Sequence, residues 1–162
     1  MSLDIFITMK VTTRPINISF RKLSLDDVET LVDIEKLNTE YPWSASHISS
    51  SITNNNTFSC GLIVGQKLIG YALTLVALES ADLLNIGIHP NYKRQGFGES
   101  LLTHLVVQLK EVAVNALILE VRIENHIAIN FYQKQEFEGV GIREKYYSNR
   151  EDAKIMKLHI SH

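Results

Sequence analysis

The chain has 162 residues, 45% of them hydrophobic and 21% charged, with a formal net charge of −2. A chain of about 150 residues buries most of its unfolded surface, so one domain with a sizeable core is expected. The weak negative charge gives no electrostatic reason to expect nucleic acid, the single cysteine rules out an intrachain disulfide, and no apolar run approaches the roughly 20 residues that span a bilayer.

The N-terminal stretch MSLDIFITMK has no basic lead-in, and Asp4 interrupts its apolar residues, so it reads as a poor signal peptide. With one cysteine and no membrane segment, the expected location is the cytoplasm. Residues 1–15, ending at Pro15, read as an N-terminal extension to a domain over 16–162. From 16 to 21 the run INISFR alternates as a half-buried strand does. Ser24 then opens a helix with acids in its first turn and Val28, Leu31 and Val32 on one face. Ser44 is a second N-cap, before Ile48 and Ile52 one turn apart.

Strand-like segments follow at 58–64 and 68–78 around a hairpin at Gly65-Gln66-Lys67, and at 83–88. Cys60 lies in the first of these, as a small buried hydrophobe or a reactive thiol. After Gly98 the period changes, and Leu101, Leu105 and Leu109, flanked by Leu102, Val106 and Ala113, define a long amphipathic helix. A short strand at 116–121, a helix from Asn125 carrying Ala128, Phe131 and Tyr132, and a closing antiparallel pair near 138–143 and 153–160 complete the chain. The order is β-α-α-β-β-β-α-β-α-β-β. The strand–helix–strand unit implies one parallel pair in an otherwise antiparallel sheet of about seven strands with about four helices, a mixed α/β (α+β) fold.

Three features carry chemistry. Between the strand ending at Ile88 and the long helix lies Lys93-Arg94-Gln95-Gly96-Phe97-Gly98. Glycines let backbone N–H groups turn toward a ligand, and a helix N-terminus offers unpaired donors to an anion such as a pyrophosphate. The alternative is an ordinary turn into a core helix. The pattern is neither a Walker loop nor a dinucleotide fingerprint, since Leu101 stands where the third glycine would be. In ALILEVRIEN, strand alternation puts Ile118, Glu120 and Arg122 on one face. A carboxylate ending an apolar strand is costly unless used or paired, so Glu120 is a general base or half of an ion pair with Arg122 or a neighbour. Tyr132 is a proton donor or helix packing. The six histidines, at 47, 89, 104, 126, 159 and 162, show no metal-ligand spacing, and no metal is expected.

Residues 83–104 resemble motif A of the GNAT superfamily, whose core is Arg/Gln-x-x-Gly-x-Gly/Ala; residues 93–98 match both glycines, with Lys93 in place of Arg or Gln. The resemblance implies a single-domain GNAT fold and binding of acetyl-CoA. It assigns the pyrophosphate to the amides of Arg94, Gln95, Gly96, Phe97, Gly98 and Glu99, and the pantetheine to the backbone of Ile86, Gly87 and Ile88. Glu99 departs from the family by placing a negative side chain near an anion site, so that it either points away or weakens binding.

Residues 117–137 resemble motif B of the ribosomal-protein-alanine N-acetyltransferases, the RimI type. This implies Glu120 as base, Asn125 as a coenzyme-contacting helix cap and Tyr132 as acid. Glu136 stands where that family has glycine, which suggests a differently shaped turn. Tyr41-Pro42-Trp43-Ser44 and the stretch Arg143-Glu144-Lys145-Tyr146-Tyr147 with Arg150-Glu151-Asp152-Ala153 are similar to that subfamily's acceptor-side segments. Trp43, Tyr146 and Tyr147 are accordingly clamps on an acceptor peptide or ordinary core and surface aromatics.

The expected function is transfer of acetyl from acetyl-CoA to the N-terminal alanine of a small-subunit ribosomal protein, without nucleic acid or membrane, by a monomer or weak homodimer. The competing readings are a GNAT enzyme acting on a polyamine, amino acid or antibiotic, and a non-catalytic acyl-CoA-binding module.

Overall fold

A computed structural model describes residues 16–162; the extension expected over 1–15 lies outside the described residues. The elements follow the expected order: β1 (Ile18–Arg21), α1 (Val28–Asn38), α2 (Ala45–Thr53), β2 (Thr57–Val64), β3 (Lys67–Ala77), β4 (Ser80–Ile88), α3 (Phe97–Glu111), β5 (Ala116–Arg122), α4 (His126–Lys134), β6 (Glu138–Arg143) and β7 (Ala153–His159). They form one seven-stranded sheet in the order β1-β2-β3-β4-β5-β7-β6, in which only β4 and β5 pair in parallel.

Two cores sandwich this sheet. On one face α3 and α4 cover Leu62, Ile69, Leu83, Leu117 and Leu119, with Leu101, Leu105 and Leu109 fully buried at helical spacing. Burying each such leucine contributes about 1.5–3 kcal/mol. On the other face α1 and α2 cover Ile63, Leu68, Tyr71 and Leu73 through Leu31, Ile34, Ile48 and Ile52. Cys60 belongs to the first core, and burial pushes its thiol up to about 11, as suits a small hydrophobe.

Local chemistry explains the boundaries. Ser24 does open the α1 region, through a 3-10 turn in which Asp27 accepts the Ser24 N–H at 2.8 Å and is gripped by Arg21 at 2.7 and 2.8 Å. β4 begins three residues earlier than its hydrophobic run suggests, because Ala77 faces Ser80 across a two-residue turn. That turn carries none of the usual glycine or asparagine; Leu78 takes the left-handed conformation (φ 55°) and stands 95% exposed.

Two irregularities shape the centre of the molecule. The β3–β4 register shifts so that Leu73 faces Asn85 while Thr74 faces Leu83, which leaves Leu84 as the extra residue of a β-bulge. At the same point the β4–β5 ladder stops: Leu83 with Leu119 is its last pair, although β4 continues to Ile88 and β5 to Arg122. The two strands therefore diverge, opening a cleft inside the sheet.

At the end of α4, Glu136 keeps the left-handed geometry (φ 67°) that a glycine would adopt, so the turn is not reshaped by the substitution. The Phe137 N–H donates to the Tyr132 carbonyl at 3.0 Å, and the buried Phe137 ring folds back on Tyr132 at 5.4 Å. A left-handed non-glycine residue costs about 1–2 kcal/mol. Glu136→Gly is expected to stabilise the fold by about 1 kcal/mol after the added freedom of the unfolded chain is counted, read as a rise of roughly 2–4 °C in thermal unfolding.

Candidate active site

The cleft supplies two kinds of unpaired backbone. His89 donates its N–H to the Ile69 carbonyl at 2.7 Å, which makes that pair hydrogen-bonded and turns the N–H and C=O groups of the alternate residues Ile86 and Ile88 away from β3, into the cleft. The Ile88 carbonyl is taken by Asn38 Nδ2 from the end of α1, at 3.0 Å. Gly87 is required for packing rather than for ligand access: a Cβ there would stand 2.9 Å from the Tyr71 ring beneath it. An open strand edge within a sheet suits an extended chain bearing amides.

Beyond β4 the chain passes through a 3-10 turn at Pro90–Tyr92 into the glycine loop. Arg94 (φ 58°) and Gly96 (φ 83°) are both left-handed, and Gly96 is the N-cap of α3. The first backbone bond of α3 runs from Ser100 N–H to the Gly96 carbonyl, and among the described residues the amides from Arg94 to Glu99 donate to no protein acceptor. Six consecutive free amides at a helix N-terminus form a nest for an anion. Nothing lies within 4 Å of where a Gly96 Cβ would be, whereas Gly98 faces the Phe131 ring of α4 at 3.6 Å, ordinary contact. The Glu99 side chain is exposed and lines a shallow groove with Ile18, Phe20 and His104, on the β1 side of α3. Asn125 caps α4, its Oδ1 accepting the Ala128 N–H at 3.1 Å.

On the α1–α2 face of β5, Glu120 is partly buried and ion-paired to Arg143 Nη1 of β6 at 2.9 Å. The partner is thus Arg143 and not Arg122, which pairs with Glu151 at 2.7 Å. Asp82 of β4 lies opposite Ile118, on the same face as Glu120; burial and the Glu120 charge raise its carboxyl above the usual range, while Arg143 opposes them. The Tyr146 hydroxyl is raised above an ordinary phenol, chiefly by Glu120, and its ring lies 5.4 Å from Arg143.

Tyr132 is buried from the opposite side of the sheet, between Phe131 and Phe137, each at 5.4 Å. Burial, followed by the nearby Tyr147, raises its hydroxyl well above an ordinary phenol. Burial raises the Tyr147 hydroxyl above an ordinary phenol, the Arg122 cation opposes it, and Tyr146 and Glu120 add to the rise. Tyr146 and Tyr147 meet edge to face at 5.1 Å beside the cleft. Trp43 stands apart from them, packed against the second core and stacked on His47 at 3.8 Å.

Sequence reasoning missed several residues that organise this site. Asp82 and Arg143 join Glu120 only through strand pairing. Glu35 is buried in α1, where it accepts the Trp43 N–H at 3.0 Å and a hydrogen bond from the Tyr71 hydroxyl. It thereby ties the α1–α2 connection to β3, directly beneath Gly87. A glutamate one position beyond the buried Ile34 was the available signal.

A family model described as the Acetyltransferase (GNAT) family matches residues 28–137. The chain belongs to this family: it is an N-acetyltransferase of the class that draws its acetyl group from acetyl-CoA. Within the class it is similar to the [ribosomal protein bS18]-alanine N-acetyltransferase of Escherichia coli strain K12, 37% identical over 142 residues that cover 86% of this chain and 95% of the relative. The Haemophilus influenzae enzyme of the same name is also 37% identical, covering 83% and 93%. The crystal structure of the E. coli ribosomal-protein-S18-alanine N-acetyltransferase superposes with a TM-score of 0.83 at 36% identity, over 90% of this chain and 96% of that one. A PaiA N-acetyltransferase from Thermoplasma acidophilum, solved with coenzyme A, shares the fold at a TM-score of 0.75 and 21% identity, over 89% of this chain and 99% of that one.

The Glu35 carboxylate holds the buried Tyr71 hydroxyl and the half-buried Trp43 N–H, so its removal leaves both without a partner. Glu35→Ala is expected to destabilise the protein by about 3 kcal/mol, measurable as a fall of roughly 10 °C in thermal unfolding.

Proposed function

We propose that this protein acetylates the N-terminal alanine of ribosomal protein S18 with acetyl-CoA, by direct attack of the α-amine on the thioester. The observation that carries the reading is the convergence, at one diverging strand pair, of a free amide nest, an open strand edge and a carboxylate with a buried phenol nearby. The identity to enzymes named for this acceptor, over nearly their whole length, supports the choice of amine.

In this reading the diphosphate of acetyl-CoA sits on the amides of residues 94–99, and its pantetheine runs along Ile86 and Ile88, with Asn125 at the helix cap beside it. The free donors at the nest and the open edge fit such a molecule. The exposed Glu99 side chain lies along the groove on the β1 side of α3, which Gly96 also lines. The amine arrives on the α1–α2 face, beside Tyr146, Tyr147 and the segment containing Trp43.

An α-ammonium has a pKa of roughly 7.7–8.0 and must lose a proton before it can attack. Glu120 accepts that proton, directly or through a water, and the nitrogen lone pair forms the new amide bond at the acetyl carbon. The carbon–sulfur bond breaks, the departing thiolate takes a proton from Tyr132, and the nitrogen gives up its second proton to solvent, from which Tyr132 is reprotonated while Glu120 releases the proton it took. Arg143 orients the Glu120 carboxylate through their ion pair at 2.9 Å. A neutral phenol is the form a proton donor requires, and burial favours it.

The test is mass spectrometry of a peptide bearing the S18 N-terminal sequence, incubated with enzyme and acetyl-CoA, beside the same peptide with a blocked α-amine. One acetyl group on the free peptide and none on the blocked one is expected; a strong preference for small amines would overturn the acceptor. Glu120→Gln and Tyr132→Phe are each expected to lower kcat by about 100-fold, and near-normal turnover in both would remove this mechanism. The raised Tyr132 pKa also sets a sign. The donor stays protonated through pH 10, so kcat is expected to show no alkaline decline where an ordinary tyrosine, ionising near roughly 10, would produce one. A steady-state pH profile from 6 to 10.5 checks this.

A further inference from the structure

Arg122 ends β5 two residues beyond Glu120, and the acetyl-transfer chemistry does not use it. Its guanidinium carbon lies 3.9 Å from the centre of the Tyr147 ring and 4.5 Å from that of Tyr41. Nη1 also donates to Glu151 Oε2 at 2.7 Å and to Asn149 Oδ1 at 3.1 Å, and the side chain is only 22% exposed. Tyr41 belongs to the connection between α1 and α2; Tyr147, Asn149 and Glu151 belong to the connection between β6 and β7. One cation therefore contacts both connections that border the face carrying Glu120.

An ion pair with Glu151 alone would be served by any cation. Two aromatic rings from separate loops, both in contact with the guanidinium, call for a planar and weakly hydrated one. The two loops are otherwise anchored independently. The α1–α2 connection is fixed at Trp43 by Glu35, which leaves Tyr41 48% exposed, and the β6–β7 connection is closed on itself by Arg150 N–H to the Tyr147 carbonyl at 2.7 Å and Lys145 N–H to Asp152 Oδ1 at 2.8 Å. Among the described residues Arg122 is the side chain that stacks on both tyrosines.

We infer that Arg122 is a positioning residue that clamps Tyr41 and Tyr147 together, fixing the spacing of the two walls of the acceptor groove before the peptide arrives. The statement rests on the proposed entry of a peptide amine between those walls. Ordering two loops in advance removes that entropy cost from binding, so loss of the clamp falls on the peptide KM and leaves acetyl-CoA binding alone.

Two measurements on the full chain test this. With acetyl-CoA saturating, Arg122→Lys is expected to raise the KM for the S18 N-terminal peptide about tenfold, with kcat and acetyl-CoA affinity changed by less than about threefold. An unchanged peptide KM, even with a lowered melting temperature, would overturn the inference. Amide hydrogen exchange gives a readout that needs no acceptor. Tyr147→Ala, made on one wall, is expected to speed exchange at residues 39–43 on the other by about fivefold or more; exchange confined to the mutated loop would sink the clamp. If the wild-type chain leaves the peptide unacetylated, the acceptor reading fails by itself, and the exchange result still decides the clamp.

Discussion

The loss of pairing between β4 and β5 after Leu83 is the constraint on which the rest of the molecule depends. A sheet normally satisfies every internal N–H and C=O, and unpaired ones are costly when buried. Here the bulge at Leu84 turns β4 away from its parallel neighbour, and the backbone at Ile86 and Ile88 is left facing a cleft. Asn38 satisfies one of those groups from α1. A ligand with amides of its own could pair with the remaining donors and acceptors.

Around that opening the fold brings three helical ends and two loops. The N-terminus of α3 presents its free amides at one end, and the cap of α4 stands beside it. Tyr132 rises from the α3–α4 side, and Glu120 faces the α1–α2 side, so the two groups approach the cleft from opposite faces of one sheet. This division follows from alternation along β5: Leu117, Leu119 and Val121 are buried under α3 and α4, which leaves Ile118, Glu120 and Arg122 to the other face. An acyl donor lying in the cleft and an amine entering from the α1–α2 face would meet there.

The electrostatics of the face carrying Glu120 are organised by pairs that sequence separation hides. Glu120 is neutralised by Arg143 across β7, and Asp82 adds a second carboxyl whose burial keeps part of its charge in check. Arg122, the neighbour that sequence alone offers as a partner for Glu120, points instead to Glu151 and the tyrosines. Buried Glu35 anchors the α1–α2 connection in the same way, by holding donors from two elements at once.

Periodicity, caps and turn residues in the chain determined the element order, the single parallel pair, the glycine turn at 93–98 that leads into a helix and the alternate faces of β5, because each depends on neighbours within a few residues. The hairpin at Leu78 escaped that reading, since a leucine in a left-handed turn carries no local signature and is tolerated only because the paired strands hold it. Which cation meets Glu120 was decided by the tertiary structure, as were the divergence of β4 from β5, the left-handed turn retained at Glu136, and the meeting of Tyr41 with Tyr147 on Arg122. Each arises from strand register or from packing between segments far apart in the chain, and such contacts leave no periodic trace in a linear sequence.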